Sequence, residues 1–141
     1  MKHITLEEFR GLIDEMGLNS KKIDDRVLAV TFQDDEDGVD FIVRFFVGEN
    51  RIQAWICIPG LGVELDRADA LEFCNKWNKE KVLPKVYIDK DKDFIAENTL
   101  LTDEEISEEF VKTNFIAFGL STMYQFLTAL RKFSETGVFE D

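Results

Sequence analysis

The stretch Val39 to Ile58, VDFIVRFFVGENRIQAWICI, decides the fold of this 141-residue chain. Before Gly48-Glu49-Asn50, Val39, Phe41, Val43, Phe45 and Val47 recur every second residue; after it, Ile52, Ala54, Ile56 and Ile58 do the same. Successive side chains of a strand point to opposite faces, so each set shares one side of a strand. Two such runs joined by a short Gly-containing connection predict an antiparallel hairpin.

Working outward, Arg26 to Gln33 repeats the alternation with Leu28, Val30 and Phe32. Asp37-Gly38 is a turn pair, so the hairpin extends to a three-stranded meander. The acidic run Asp34-Asp35-Glu36-Asp37 is accounted for by that turn and needs no bound cation. One face of the meander is strongly apolar and must meet helices. The other carries Val27, Ala29, Ile42, Phe46, Trp55 and Cys57 among polar neighbours, more than a plain solvent face usually holds. Ile42, Phe46 and Trp55 are therefore candidate protein-binding residues.

Helices flank the meander. Thr5-Leu6-Glu7-Glu8 is a capping box ahead of Leu6, Phe9, Ile13 and Met16 at helical spacing, and Gly17 ends this helix. After Pro59-Gly60-Leu61-Gly62, Asp66 caps a second helix from Arg67 to about Val82, with Ala70, Leu71, Phe73, Cys74, Trp77, Asn78 and Val82 on one half of its circumference. An amide among apolar side chains needs partners, so Asn78 is expected to clamp a turn or a neighbouring strand. Lys85 to Asp89 and Asp93 to Leu101 form a second hairpin around Lys90-Asp91-Lys92.

Thr102-Asp103-Glu104-Glu105 repeats the capping box and opens a final helical region to about Ser134. Here Ile106 and Phe110 mark one direction, whereas Phe115, Ile116, Leu120, Met123, Phe126, Leu127, Leu130 and Phe133 mark nearly the opposite one. Either the helix breaks between Thr113 and Gly119, or its later half packs on a second surface such as another subunit. Phe115, Met123 and Phe126 join the candidate protein-binding set on the second alternative.

These elements form one α+β domain over residues 1–141, with an antiparallel sheet in the order α-β-β-β-α-β-β-α. That order resembles the fold of type III secretion chaperones. The run Ala70-Leu71-Glu72-Phe73-Cys74-Asn75-Lys76-Trp77-Asn78-Lys79-Glu80, then Lys85-Val86-Tyr87-Ile88-Asp89 and Ile95-Ala96-Glu97, resembles the YbjN-like family of bacterial sensory transduction regulators. The resemblance implies a chaperone-like fold without a catalytic residue, and marks Asn75, Trp77 and Asn78 as signature positions serving the fold.

Composition narrows the function. With 17 basic against 29 acidic residues the net charge is -12, which repels phosphate backbones and anionic lipid surfaces. The expectation is a cytoplasmic protein with no nucleic-acid or membrane partner; no leader-like or membrane-spanning apolar run is read in the sequence. One His (His3) and two Cys (Cys57, Cys74) leave zinc sites, Cys-His pairs and Ser-His-Asp triads short of members. Asp89, Asp91 and Asp93 copy the first ligand positions of an EF-hand loop, but Phe94 and Leu100 stand where the glycine and the bidentate glutamate belong. Glu104 and Glu108 lie one turn apart, a spacing that 29 acidic residues produce by chance.

The reading is a non-enzymatic protein-binding module, chaperone-like or a regulatory adaptor, with no cofactor and with a protein partner or a second copy in a homodimer. The alternative is a sensor holding a small apolar ligand between the sheet and the last helix.

Overall fold

The structure, a computed structural model, describes residues 4–32, 41–58, 65–91, 93–102 and 104–138. Its elements are α1 (Leu6–Glu15), β1 (Ser20–Asp24), β2 (Val27–Phe32), β3 (Phe41–Val47), β4 (Arg51–Ile58), α2 (Arg67–Glu80), β5 (Lys85–Ile88), β6 (Phe94–Leu101), α3 (Glu108–Phe110), a π-helical segment Val111–Ala117, and α4 (Phe118–Thr136). Six antiparallel strands are ordered β1-β2-β3-β4-β6-β5. The class is α+β, as the alternation predicts. His3, Val39, Lys92 and the turns at Asp34 to Gly38 and Pro59 to Gly62 lie outside the described residues.

The chain divides into two compact units, each built from separate stretches: 1–56 with 99–117, and 57–98 with 118–141. In the first unit, α1 begins as the sequence predicts. Thr5 accepts from the Glu8 N–H, and Glu8 answers at the Thr5 N–H. The helix ends where Gly17 takes a φ of +75°, a conformation Gly adopts without steric cost. Leu28, Val30, Val43, Phe45, Val47, Ile52, Ala54 and Ile56 are all buried, so the predicted apolar face is the core face. Phe9 and Phe115 meet the Phe45 ring at centroid distances of 5.1 and 6.3 Å.

The sequence reading needs correction in this unit. It missed β1, whose residues Ser20-Lys21-Lys22-Ile23-Asp24 are mostly exposed and carry no apolar alternation. This strand is held by antiparallel pairing to β2, with a bulge between Lys22 and Asp24. The element order is therefore α-β-β-β-β-α-β-β-α. The final helical region also starts later than the Thr102 box suggests. Thr102 is buried, and its N–H donates to the Asn50 carbonyl at 2.8 Å, so its backbone continues from β6; Ser107 is the cap instead, accepting from the Phe110 N–H.

The second unit is organised by rings. Phe73 on α2 lies 5.3 to 6.3 Å from Trp77, Phe94, Phe126 and Phe133. Trp77 is fully buried, and its indole N–H donates to the Pro84 carbonyl at 3.0 Å. Asn78 makes the clamp expected of it: Nδ2 donates to the Val86 carbonyl at 2.8 Å, and Oδ1 accepts from the Val86 N–H at 3.1 Å. β5 is the outermost strand, so the amide occupies backbone groups that no further strand would pair. The apolar arc of α2 is narrower than its sequence suggests, because Leu71 and Asn78 are exposed and Val82 lies beyond the helix end at 93% exposure.

Replacing Asn78 with Ala leaves the N–H and C=O of Val86 to find water. Urea unfolding should show a loss of about 1–3 kcal/mol, with the helix content of the folded state unchanged.

Candidate functional site

The face of the first unit opposite its core has its composition set by the two-residue period. Cross-strand register pairs Lys21 with Ala29, Ala29 with Arg44, and Arg44 with Trp55, so these four form one row across β1, β2, β3 and β4. A flanking row pairs Val27 with Phe46 and Phe46 with Gln53, and another pairs Thr31 with Ile42. None of these side chains is buried, and Ile42 is 44% exposed.

The three predicted residues on this face differ in freedom. Phe46 is held by the β3–β4 turn: the Arg51 guanidinium lies 5.0 Å from its ring centroid, and a Cβ built on Gly48 would come within 2.8 Å of the ring edge. That close approach is the reason a glycine stands there. Among the described residues no ring or charge is packed over exposed Ile42 or half-buried Trp55, which remain the presentable apolar groups. At the β1 side the face dips into an open groove of about 390 Å³ lined by Asn19, Ser20, Lys21, Ala29 and Thr31.

The structure does not bring the remaining candidates to this face. Phe115 is 7% exposed against Phe45, while Met123 and Phe126 are fully buried, Phe126 against Phe73, Trp77 and Phe94. The stripe that suggested a second subunit is instead buried within this chain. Phe110, assigned to the opposite direction, is exposed. The signature positions serve separate ends: Trp77 and Asn78 hold α2 to the turn and strand after it, whereas nothing in the structure explains Asn75, which is exposed. The sequence reading missed Arg44 and Lys21 as members of the face; the signal was their place in the alternation, on the side of Ile42 and Ala29.

Other polar clusters lean toward structure. Asp89, Asp91 and Asp93 bring carboxylate oxygens within 4.8 Å of one another. Asp89 Oδ1, however, already accepts from the N–H groups of Asp91 and Asp93, and Phe94 is buried in the ring cluster. On the second hairpin, Lys85 and Tyr87 both reach Glu97, at 2.9 and 3.4 Å. A hydrogen bond and attraction to Glu97 raise the Lys85 ammonium, and burial, then Glu97, raises the Tyr87 phenol. Both shifts keep these groups in their ordinary protonated forms at neutral pH, the reverse of what a base or nucleophile needs. A smaller groove of about 170 Å³ lies among Ile4, Glu8, Leu12, Glu105, Ile106, Ser107 and Glu108. It is below the range of ordinary small-molecule pockets, about 300 Å³ upward, and its glutamates do not suit an apolar ligand.

Comparison with known proteins agrees with the architecture. A family model described as "YbjN: Putative bacterial sensory transduction regulator" matches residues 5–132. The crystal structure of YbjN from E. coli, titled a putative transcription regulator, superposes with a TM-score of 0.64 at 14% identity, covering 96% of each chain. No curated protein matches the chain at a significant level.

The two thiols are distinguishable by chemistry. Burial removes water from the Cys74 thiolate and pushes its pKa up to about 12, so it stays protonated and unreactive at pH 8. A disulfide-exchange reagent should titrate Cys57, which is half-buried, in the folded protein and reach Cys74 only after denaturation.

Proposed function

The chain belongs to the YbjN family, and on that premise we propose that it is a non-catalytic regulator acting by binding another protein through the outer face of β2, β3 and β4. The family's description, "Putative bacterial sensory transduction regulator", supports the regulatory part; the binding mode is our reading. The observation that carries it is the exposure of Ile42 beside Trp55 on a regular sheet face whose opposite side is fully committed to a core. A sheet with one buried face and one solvated face normally alternates apolar with polar, and here the solvated side keeps Val27, Ile42, Phe46 and Trp55.

Two further points support binding over catalysis. The shifted titratable groups among the described residues, Cys74, Lys85, Tyr87 and Lys112, are all raised toward their protonated forms. Among the described residues no helix is long and apolar enough to cross a membrane, and the net charge of -12 opposes anionic surfaces, which leaves a protein surface as the fitting partner.

The test uses the immobilised full chain and extract from its native host, with captured proteins quantified by mass spectrometry. Ile42→Asp and Trp55→Asp should each remove the specifically captured partner by tenfold or more, since a buried unpaired carboxylate costs several kcal/mol at an interface, about the span of hot-spot effects. Leu71→Asp, at an exposed position on α2, should leave capture unchanged. Equal capture by all three variants would sink the proposal.

A further inference from the structure

Arg44 sits within the row Lys21, Ala29, Arg44, Trp55, and among the described residues its guanidinium has no hydrogen bond or ion pair. That is unexpected in a chain with 29 acidic residues and 17 basic ones, where a half-buried arginine has carboxylates in excess to choose from. Lys21, on the same row, is equally without a partner among the described residues, and Arg51 rests on the Phe46 ring. Among the described residues, acids reach this face only at its ends: Asp24, whose Oδ1 accepts from the Arg26 N–H at 2.8 Å, and Asp93, whose Oδ2 lies 3.8 Å from the Cys57 thiol. The described row from Lys21 to Trp55 is thus a cationic and apolar strip on a strongly anionic protein.

Resting on the docking reading above, we infer that this face takes an acidic amphipathic helix of a partner protein. Charge complementarity selects the acid: Lys21 and Arg44 stand two strands apart, about 10 Å, which matches carboxylates separated by two turns of helix, about 10.8 Å. Bidentate pairing to a carboxylate is what a guanidinium is shaped for, and the neighbouring Trp55, Ala29 and Ile42 give such a helix an apolar seat.

The edges of the sheet select a helix over an extended segment. An added strand needs a free backbone edge, but Asn78 occupies Val86 on β5, and β1 is short, bulged between Lys22 and Asp24, and charged. A helix about 10 Å across lies over three strands without needing either edge. Single-stranded nucleic acid also favours cations beside aromatic rings. Its affinity, however, depends on neutralising many phosphates, and three cations on a body of net charge -12 are too few.

The experiment measures fluorescence anisotropy of labelled helical peptides, about five turns long, with Leu and Phe on one face and Glu flanking it, added to the full chain. The same peptide with Gln, or with Lys, at the Glu positions serves as control, and a single-stranded oligonucleotide of equal charge competes. The Glu peptide should bind about tenfold tighter than the Gln peptide, weaken as salt rises, and lose about tenfold with Arg44→Gln, while thermal unfolding of that variant stays at the wild-type temperature. Lys21→Gln, at an exposed edge, gives the same test where Arg44→Gln fails to fold.

Equal binding of the Glu and Gln peptides, tighter binding of the Lys peptide, insensitivity to both substitutions, or tighter binding of the oligonucleotide each overturns the inference. A Lys peptide that binds and is released by Trp55→Asp defeats the acidic partner but preserves the docking face. Partner capture that ignores Trp55→Asp defeats the docking face itself.

Discussion

The helical run from Glu108 to Thr136 changes its winding partway, and its two parts are buried in the separate cores of the two units. An α-helix turns about 100° per residue, so a single straight stripe faces one direction. Between Val111 and Ala117 the backbone takes the wider i→i+5 winding, and the buried positions become Val111, Phe115 and Ile116. Beyond it, α4 returns to ordinary winding and buries Thr122, Met123, Phe126, Leu130 and Phe133. Phe115 meets Phe45 in the first unit, while Phe126 and Phe133 meet Phe73 in the second. Neither unit assembles its core from a continuous stretch of chain.

The legible parts of the fold were those whose cause is local. The alternation from Phe41 to Ile58 and the capping box at Thr5 could be read directly, because strand period and cap geometry involve residues only a few positions apart. The clamping role of Asn78 was legible, though not its choice of Val86, nor that the residue stays exposed while making the clamp. What escaped was non-local. β1 exists through pairing with β2 and has no pattern of its own. Thr102 carries a cap-like sequence, yet the Asn50 carbonyl claims its N–H first. The reversal of the apolar stripe was visible, but a break, a second subunit and a change of winding leave the same trace in sequence.

The same distinction runs through the candidate site. Ile42 and Trp55 were recognisable as apolar residues on the wrong side of an alternating strand. Phe115, Met123 and Phe126 were not distinguishable from them by type, since an aromatic or thioether side chain serves a core and an interface equally well, and only burial separates the two uses. The cations of the face were overlooked because a global charge of -12 describes the whole surface and says nothing of its local sign. Register is what gathers Lys21, Arg44 and Trp55 into one row, and register is a property of the assembled sheet.

The clamp at the far end of the sheet has a meaning beyond α2. Hydrogen-bonded sheets have no intrinsic limit to their width: an outer strand offers the same groups to a foreign chain as to its own neighbour. By filling the outward N–H and C=O of Val86, the side chain of Asn78 stands in for a seventh strand one residue long. At that position the β5 edge is closed to a foreign strand, so the sheet offers no backbone pair there for a growing ribbon to extend from.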